Sequence, residues 1–201
     1  MPTTTPLIAL DDGHGMTTAG KRSPASLGTV MRENEFNKAV CSYLFTALTR
    51  CGVTPMFTAP EDGDVAIPTR VKRARAAGVK LLISIHANAG GGTGLETFYA
   101  QGSAKGERLA RLVQSETLAA TGMRNHAGKG APGYKPDTMS AVKKLGILRG
   151  PAAAGIAACL WEGGYMDTPA DLAKLKDDAY RRTCAEAIAR AVCLYLGTAY
   201  V

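Results

Sequence analysis

The most constraining stretch of the chain is residues 79–86, VKLLISIH, a β-rich apolar run that ends in a histidine. A run of this kind is typical of a parallel strand buried on both faces. Such a strand needs cover on both sides, which means helices above and below a sheet. Short apolar runs recur at 6–12 (PLIALDD), 53–58 (VTPMFT), 94–100 (GLETFYA) and 156–162 (IAACLWE). They alternate with longer stretches at 33–51, 69–77, 104–121 and about 179–196 that read as helices. In 33–51, Phe36, Val40, Tyr43, Leu44, Ala47, Leu48 and Cys51 fall on one face of period 3.6, and Gly52 supplies the stop. Pro55 predicts that the 53–58 strand lies near a sheet edge. The pattern predicts an α/β fold: one domain over 1–201, with a twisted, mostly parallel β-sheet flanked by helices on both faces.

Other segments carry weaker signals. Residues 122–144, rich in Gly, Pro and Lys, read as a mobile loop leading into a short helix, and 145–149 as a short strand. Thr168-Pro169-Ala170-Asp171 reads as a helix start, with Thr168 as N-cap and an acid in the first turn. The N-terminus lacks the pattern of a secretion signal, and no apolar segment is long enough to span a membrane. Synthesis in a cytoplasm without membrane insertion is therefore expected. Five cysteines, an odd number with no C-x-x-C, argue against a disulfide framework and against a cysteine zinc site. The net charge of +7 favours a polyanionic partner. The basic residues are scattered and carry no nucleic-acid motif, so no nucleic-acid partner is expected.

Ligands of open α/β sheets bind beyond the carboxyl ends of the strands. Three strand ends here carry chemistry: Asp11-Asp12-Gly13-His14-Gly15, Ser84-Ile85-His86 and Leu160-Trp161-Glu162. Two of the three histidines of the chain occupy these ends. Catalytic zinc takes three protein ligands and keeps a position open. A carboxylate from Glu33 or Glu35, just after the loop from His14, would complete the set. Glu162, at the end of an apolar run, is costly to place there unless it has a partner or a task. Asp11 or Asp12 could orient a ligand histidine, or simply cap the turn. His126 reads as an exposed loop histidine, and Glu96 could point into the cleft or away from it. A G-x-G-x-x-G fingerprint, a G-x-S-x-G elbow and an H-E-x-x-H motif are all missing from the sequence.

Four segments in order, DDGHG (11–15), ENEFN (33–37), SIHANA with GLETFY (84–99) and LWEGGYMDTPAD (160–171), resemble amidase family 3. These are the zinc-dependent N-acetylmuramoyl-L-alanine amidases, and the resemblance covers nearly the whole chain. It implies one Zn2+ held by His14, Glu33 and His86, with Glu33 chosen over Glu35 by the family pattern E-x-x-x-N. It also implies that Glu162 is the catalytic glutamate, and it places Arg149 at a substrate or transition-state position or in a structural ion pair. Asp12 is the expected support behind a ligand. Trp161 and Tyr165 depart from the family's usual V-E-x-G-F. The implied substrate is peptidoglycan, cut between N-acetylmuramic acid and L-alanine. DDGHG in place of P-G-H-G looks more like phage or prophage lysins, which a holin releases to the wall. No separate wall-binding domain is expected within 1–201. The competing readings are another zinc peptidase acting on wall peptides and a non-catalytic wall-binding module. The sequence does not indicate an oligomeric state.

Overall fold

The computed structural model describes residues 5–128 and 130–201. Its strands are β1 (Leu7–Asp11), β2 (Thr54–Phe57), β3 (Leu81–Asn88), β4 (Glu96–Tyr99), β5 (Tyr134–Pro136) and β6 (Ala157–Tyr165). They form one sheet in the order β2-β1-β3-β6-β4-β5. The neighbours β2, β1, β3 and β6 run parallel, β4 runs antiparallel to β6, and β5 is parallel to β4. Pro55 does lie in an edge strand, where its missing N–H breaks no ladder.

Six helices cover the sheet: α1 (Glu33–Arg50), α2 (Ile67–Ala76), α3 (Ala104–Thr121), α4 (Gly146–Ala153), α5 (Pro169–Lys176) and α6 (Asp178–Leu196). Alternate strand residues divide between two cores. Ile8, Leu10, Ile83, Ile85 and Trp161 pack with Leu44, Val113 and Ile188 of the long helices α1, α3 and α6. Ala9, Leu82, Phe98 and Leu160 pack on the other face with Val71 and Ala74 of α2 and Leu148 of α4. Each fully buried Leu or Ile contributes about 1.5–3 kcal/mol, so both layers are held mainly by apolar burial. The second layer is thinner, because α2 and α4 have only 10 and 8 residues. Two residues beyond Leu82 is Ser84, then His86; two beyond Leu160 is Glu162; two before Phe98 is Glu96. The polar row therefore lies on the thinly covered face.

Three local expectations are corrected. Residues 145–149 are not a strand but the start of α4, with Ile147, Leu148 and Pro151 buried. Five apolar-rich residues show no period, and packing decided the outcome. The loop at 122–144 contains β5 and a single turn of 3-10 helix, Asp137–Met139. Lys129 within it lies outside the described residues. Thr168 stands at the N-cap of α5, but its side chain does not cap the helix. Its hydroxyl donates instead to the Gly92 carbonyl at 2.5 Å. Asp171 ties the same region together, accepting from the Thr93 hydroxyl and from the backbone N–H of Gly94 and Tyr165.

Candidate metal centre

The carboxyl ends of β1, β3 and β6 meet on one rim. Asp11 pairs with Ser84, and His86 with Glu162. Beyond β1 the chain turns through Gly13 and His14, both at positive φ (38° and 59°). This backbone is clamped from two sides. Asn34 of α1 donates to the carbonyls of Asp12 (2.9 Å) and Gly13 (3.0 Å), and Asn37 to that of Gly13 (3.2 Å). Arg70 of α2 donates to the His14 carbonyl at 2.7 Å. The first turn of α1 thus holds the loop while its first residue, Glu33, turns its carboxylate inward.

His14, Glu33 and His86 converge. His86 Nδ1 lies 2.9 Å from Glu33 Oε1, and His14 Nε2 lies 3.6 Å from the same oxygen. The two rings meet edge to face, with centroids 5.0 Å apart. One candidate ligand atom from each residue lies within 4.8 Å of the others. Glu35 is not in this group; its carboxylate accepts from the backbone N–H of Arg32 and so caps α1. Burial lowers the His14 pKa to about 4, and the neighbouring His86 adds to this against the pull of Glu33. Burial opposes the charge on Glu33, but the His86 hydrogen bond and the charges of His86, His14 and Lys21 outweigh it and bring the carboxyl to about 2. One neutral imidazole and an ionised carboxylate are states in which these groups bind metal.

Glu162 stands beside His86 on β6. Its Oε2 is shut off from solvent and has no hydrogen-bond partner among the described residues. Burial pushes this carboxyl up to about 8; Glu33 and Glu96 add to the rise and His86 opposes it. Behind it, Gly163 has no room for a side chain: a Cβ would come within 2.5 Å of the Phe36 ring. Trp161 points to the opposite face, where it stacks on Phe36 and donates to the Thr117 hydroxyl.

Across β6, Glu96 is the register partner of Glu162 and points to the cleft side. Asn88 (2.5 Å) and the Tyr165 hydroxyl (3.2 Å) donate to it, and Lys135 forms an ion pair at 2.6 Å. His126 is not a free loop side chain. Its Nδ1 meets the Thr93 carbonyl and its Nε2 the Tyr165 hydroxyl, each at 3.2 Å. Tyr165 is therefore part of this polar wall, and only the strand register reveals it.

Two expected residues sit elsewhere. Arg149 forms a two-pronged pair with buried Asp137, at 2.6 and 3.0 Å. Asp137 follows Pro136, which pairs with Tyr99 and through it with Cys159, three residues before Glu162. At about 3.3 Å per residue that is roughly 10 Å from the row of Glu162. Asp12 is buried, and its carboxylate meets Arg70 at 3.5 Å rather than a histidine. Burial and the adjacent Asp11 charge raise its pKa to about 6. Asp11, by contrast, reaches His86 through Ser84. Burial works against the ionised form of Asp11, but Arg70, Ser84 and Thr58 together hold its carboxyl below the usual range.

Fold and site define a class: a single α/β domain whose sheet rim carries a His–Glu–His group able to hold one metal ion beside an unpartnered acid. The family described as N-acetylmuramoyl-L-alanine amidase matches residues 8–193. The chain belongs to that family. It is 29% identical over 188 residues to the N-acetylmuramoyl-L-alanine amidase LytC of Bacillus subtilis, covering 90% of this chain and 34% of that protein. It is also 29% identical over 196 residues to the endolysin of Bacillus phage SPP1, covering 92% of this chain and 64% of the endolysin. The chain thus spans about a third of the first relative and less than two thirds of the second. An N-acetylmuramoyl-L-alanine amidase from Clostridium difficile 630 has the same fold, with a TM-score of 0.82, 25% identity and 96% and 97% of the two chains covered.

Proposed function

We propose that the chain hydrolyses the amide between N-acetylmuramic acid and L-alanine in peptidoglycan, with one Zn2+ held by His14, Glu33 and His86. The observation that carries this reading is the convergence of those three donors beside the orphaned Glu162 oxygen. Two imidazoles and one carboxylate, held by clamped backbone, suit a catalytic zinc site. When bound, zinc supplies a Lewis acid that polarises the amide carbonyl and acidifies a water.

The protein's own groups handle the proton. Glu162 takes it from the attacking water and delivers it to the leaving nitrogen, which departs as a neutral amine. A raised carboxyl pKa matches a group that must both accept and donate near neutrality. Glu96, with Lys135, Tyr165 and His126, lines the cleft beside Glu162 and offers both donors and acceptors to a polar substrate. Arg149, paired with Asp137, is assigned a structural role in this reading. The place of action is the bacterial wall, in keeping with the likeness to a phage endolysin. Among the described residues no helix is long and apolar enough to cross a membrane.

Digestion of purified peptidoglycan with and without a chelator tests this. Free peptides beginning with L-alanine, intact glycan strands and loss of peptide release with chelator are expected by mass spectrometry. Cuts within the stem peptide would reassign the bond, and release that survives chelation would remove the metal from the mechanism.

A further inference from the structure

We propose that Ser84 and Asp11 are positioning residues that keep a proton on His86 Nε2 and so make Nδ1 the nitrogen that meets the metal. The inference rests on the metal site proposed above. It follows from counting protons along one buried chain of hydrogen bonds.

Asp11 is an acceptor on both oxygens. Its Oδ1 receives the Thr58 hydroxyl at 2.6 Å and Arg70 at 3.0 Å. Its Oδ2 receives the Ser84 hydroxyl at 2.6 Å. A serine has a single O–H, and here it is committed to the carboxylate. The next contact, His86 Nε2 at 3.1 Å from Ser84 Oγ, can therefore be satisfied only if the imidazole donates. Nδ1 faces the ionised Glu33 Oε1 at 2.9 Å and donates to it in the metal-free site, so the Nδ1 proton, not the one on Nε2, is the one that leaves to expose a lone pair to a metal.

A second observation points the same way. A Cβ on Gly13 would lie 2.5 Å from His86 Cε1 and 2.6 Å from Nε2. The main chain leaving β1 thus packs close over that edge of the ring, on the side where Ser84 already meets Nε2. Glycine at this place, also at positive φ, lets the loop press on the histidine. Arg70 joins the supports of both histidines: it binds Asp11 on one side and the His14 carbonyl on the other. Ser84, Asp11 and Arg70 are all buried, so water does not compete for these bonds.

The test is to read the tautomer of His86 by nitrogen-15 NMR in the zinc-free and zinc-loaded protein. A proton on Nε2 is expected in both, with Nδ1 protonated against Glu33 only in the zinc-free protein. Ser84→Ala removes the acceptor and should give a mixed tautomer with zinc affinity, measured by chelator competition, lower by about ten- to a hundredfold. Asp11→Asn places an amide donor against Ser84, turns the hydroxyl toward His86 and should favour the Nδ1–H form. A circular-dichroism spectrum and thermal melt establish that each variant is folded. A zinc-loaded wild type that carries its proton on Nδ1 and binds through Nε2, or folded variants that keep both tautomer and zinc affinity, would overturn the proposal. If neither variant folds, the wild-type tautomer alone decides. A wild-type protein that binds no zinc yet shows Nε2–H would fail the metal reading and leave the hydrogen-bond assignment standing.

Discussion

Glu162 carries a carboxyl near two others, Glu33 and Glu96, and one of its oxygens is shut off from solvent. Burial first, and these neighbours second, raise its pKa from 4.5 to about 8. Between those values the folded chain holds a proton that the unfolded chain has released. This group therefore weakens the zinc-free protein as pH rises through that window. A divalent ion beside it acts in the opposite sense and favours the carboxylate. Zinc binding near pH 7 should accordingly expel a proton from Glu162. Calorimetry in buffers of different ionisation enthalpy should show less proton release for Glu162→Gln than for wild type. The same variant should bind one zinc and lose about 10²–10⁴-fold in hydrolysis. Equal proton release in the two proteins would place the titration elsewhere. At this scale the candidates His14, His86 and Glu162 were legible, because burial makes a histidine or an acid costly at the end of an apolar strand unless it has a task. Asn34, Asn37 and Ser84 were not, since their tasks are hydrogen bonds to residues 20 or more positions away or to a ring two residues on. The choice of Asp11 over Asp12 was equally hidden, because adjacent strand residues point to opposite sides.

Long amphipathic elements are plain in the sequence. The 104–121 helix agrees at both ends with α3, and α1 and α6 differ by a residue at one end. The shortest elements are not. β5 has three residues, one of them Pro136, and becomes a strand only because β4 offers it an open edge. α4 owes its state to packing against α2: a Cβ on Gly150 would strike Val71 at 2.7 Å. Arg149 belongs to this scale. Its pair with Asp137 holds the turn before α4, where Asp137 also accepts from the N–H of Gln101 and Leu145. Arg149→Ala should lower Tm, because it strips a partner from a buried carboxylate. It should leave zinc affinity and kcat/KM unchanged. A large fall in kcat/KM without a fall in Tm would return Arg149 to the reaction.

The molecule as a whole carries a net charge of +7. Walls that hold anionic polymers would attract it over distances set by ionic strength, about 10 Å at 0.1 M salt. Digestion of intact walls should therefore slow several-fold between about 0.05 and 0.5 M salt. Cleavage of a small soluble muramyl peptide should barely change. Equal salt dependence for the two substrates would show that the surface charge has no part in finding the wall.

The α/β class, the long helices, the strand ends and the candidate residues that stand at them were determined by the sequence itself. Hydrophobic periodicity and strand-end chemistry are local properties, written within a few turns of chain. Which glutamate faces the histidines, which aspartate stands behind His86 and which acid pairs with Arg149 were decided only by the tertiary structure. Each depends on the register between strands and on the angle at which α1 and α2 meet the rim. Those quantities are set by packing between segments far apart in the chain, and no single stretch of residues contains them.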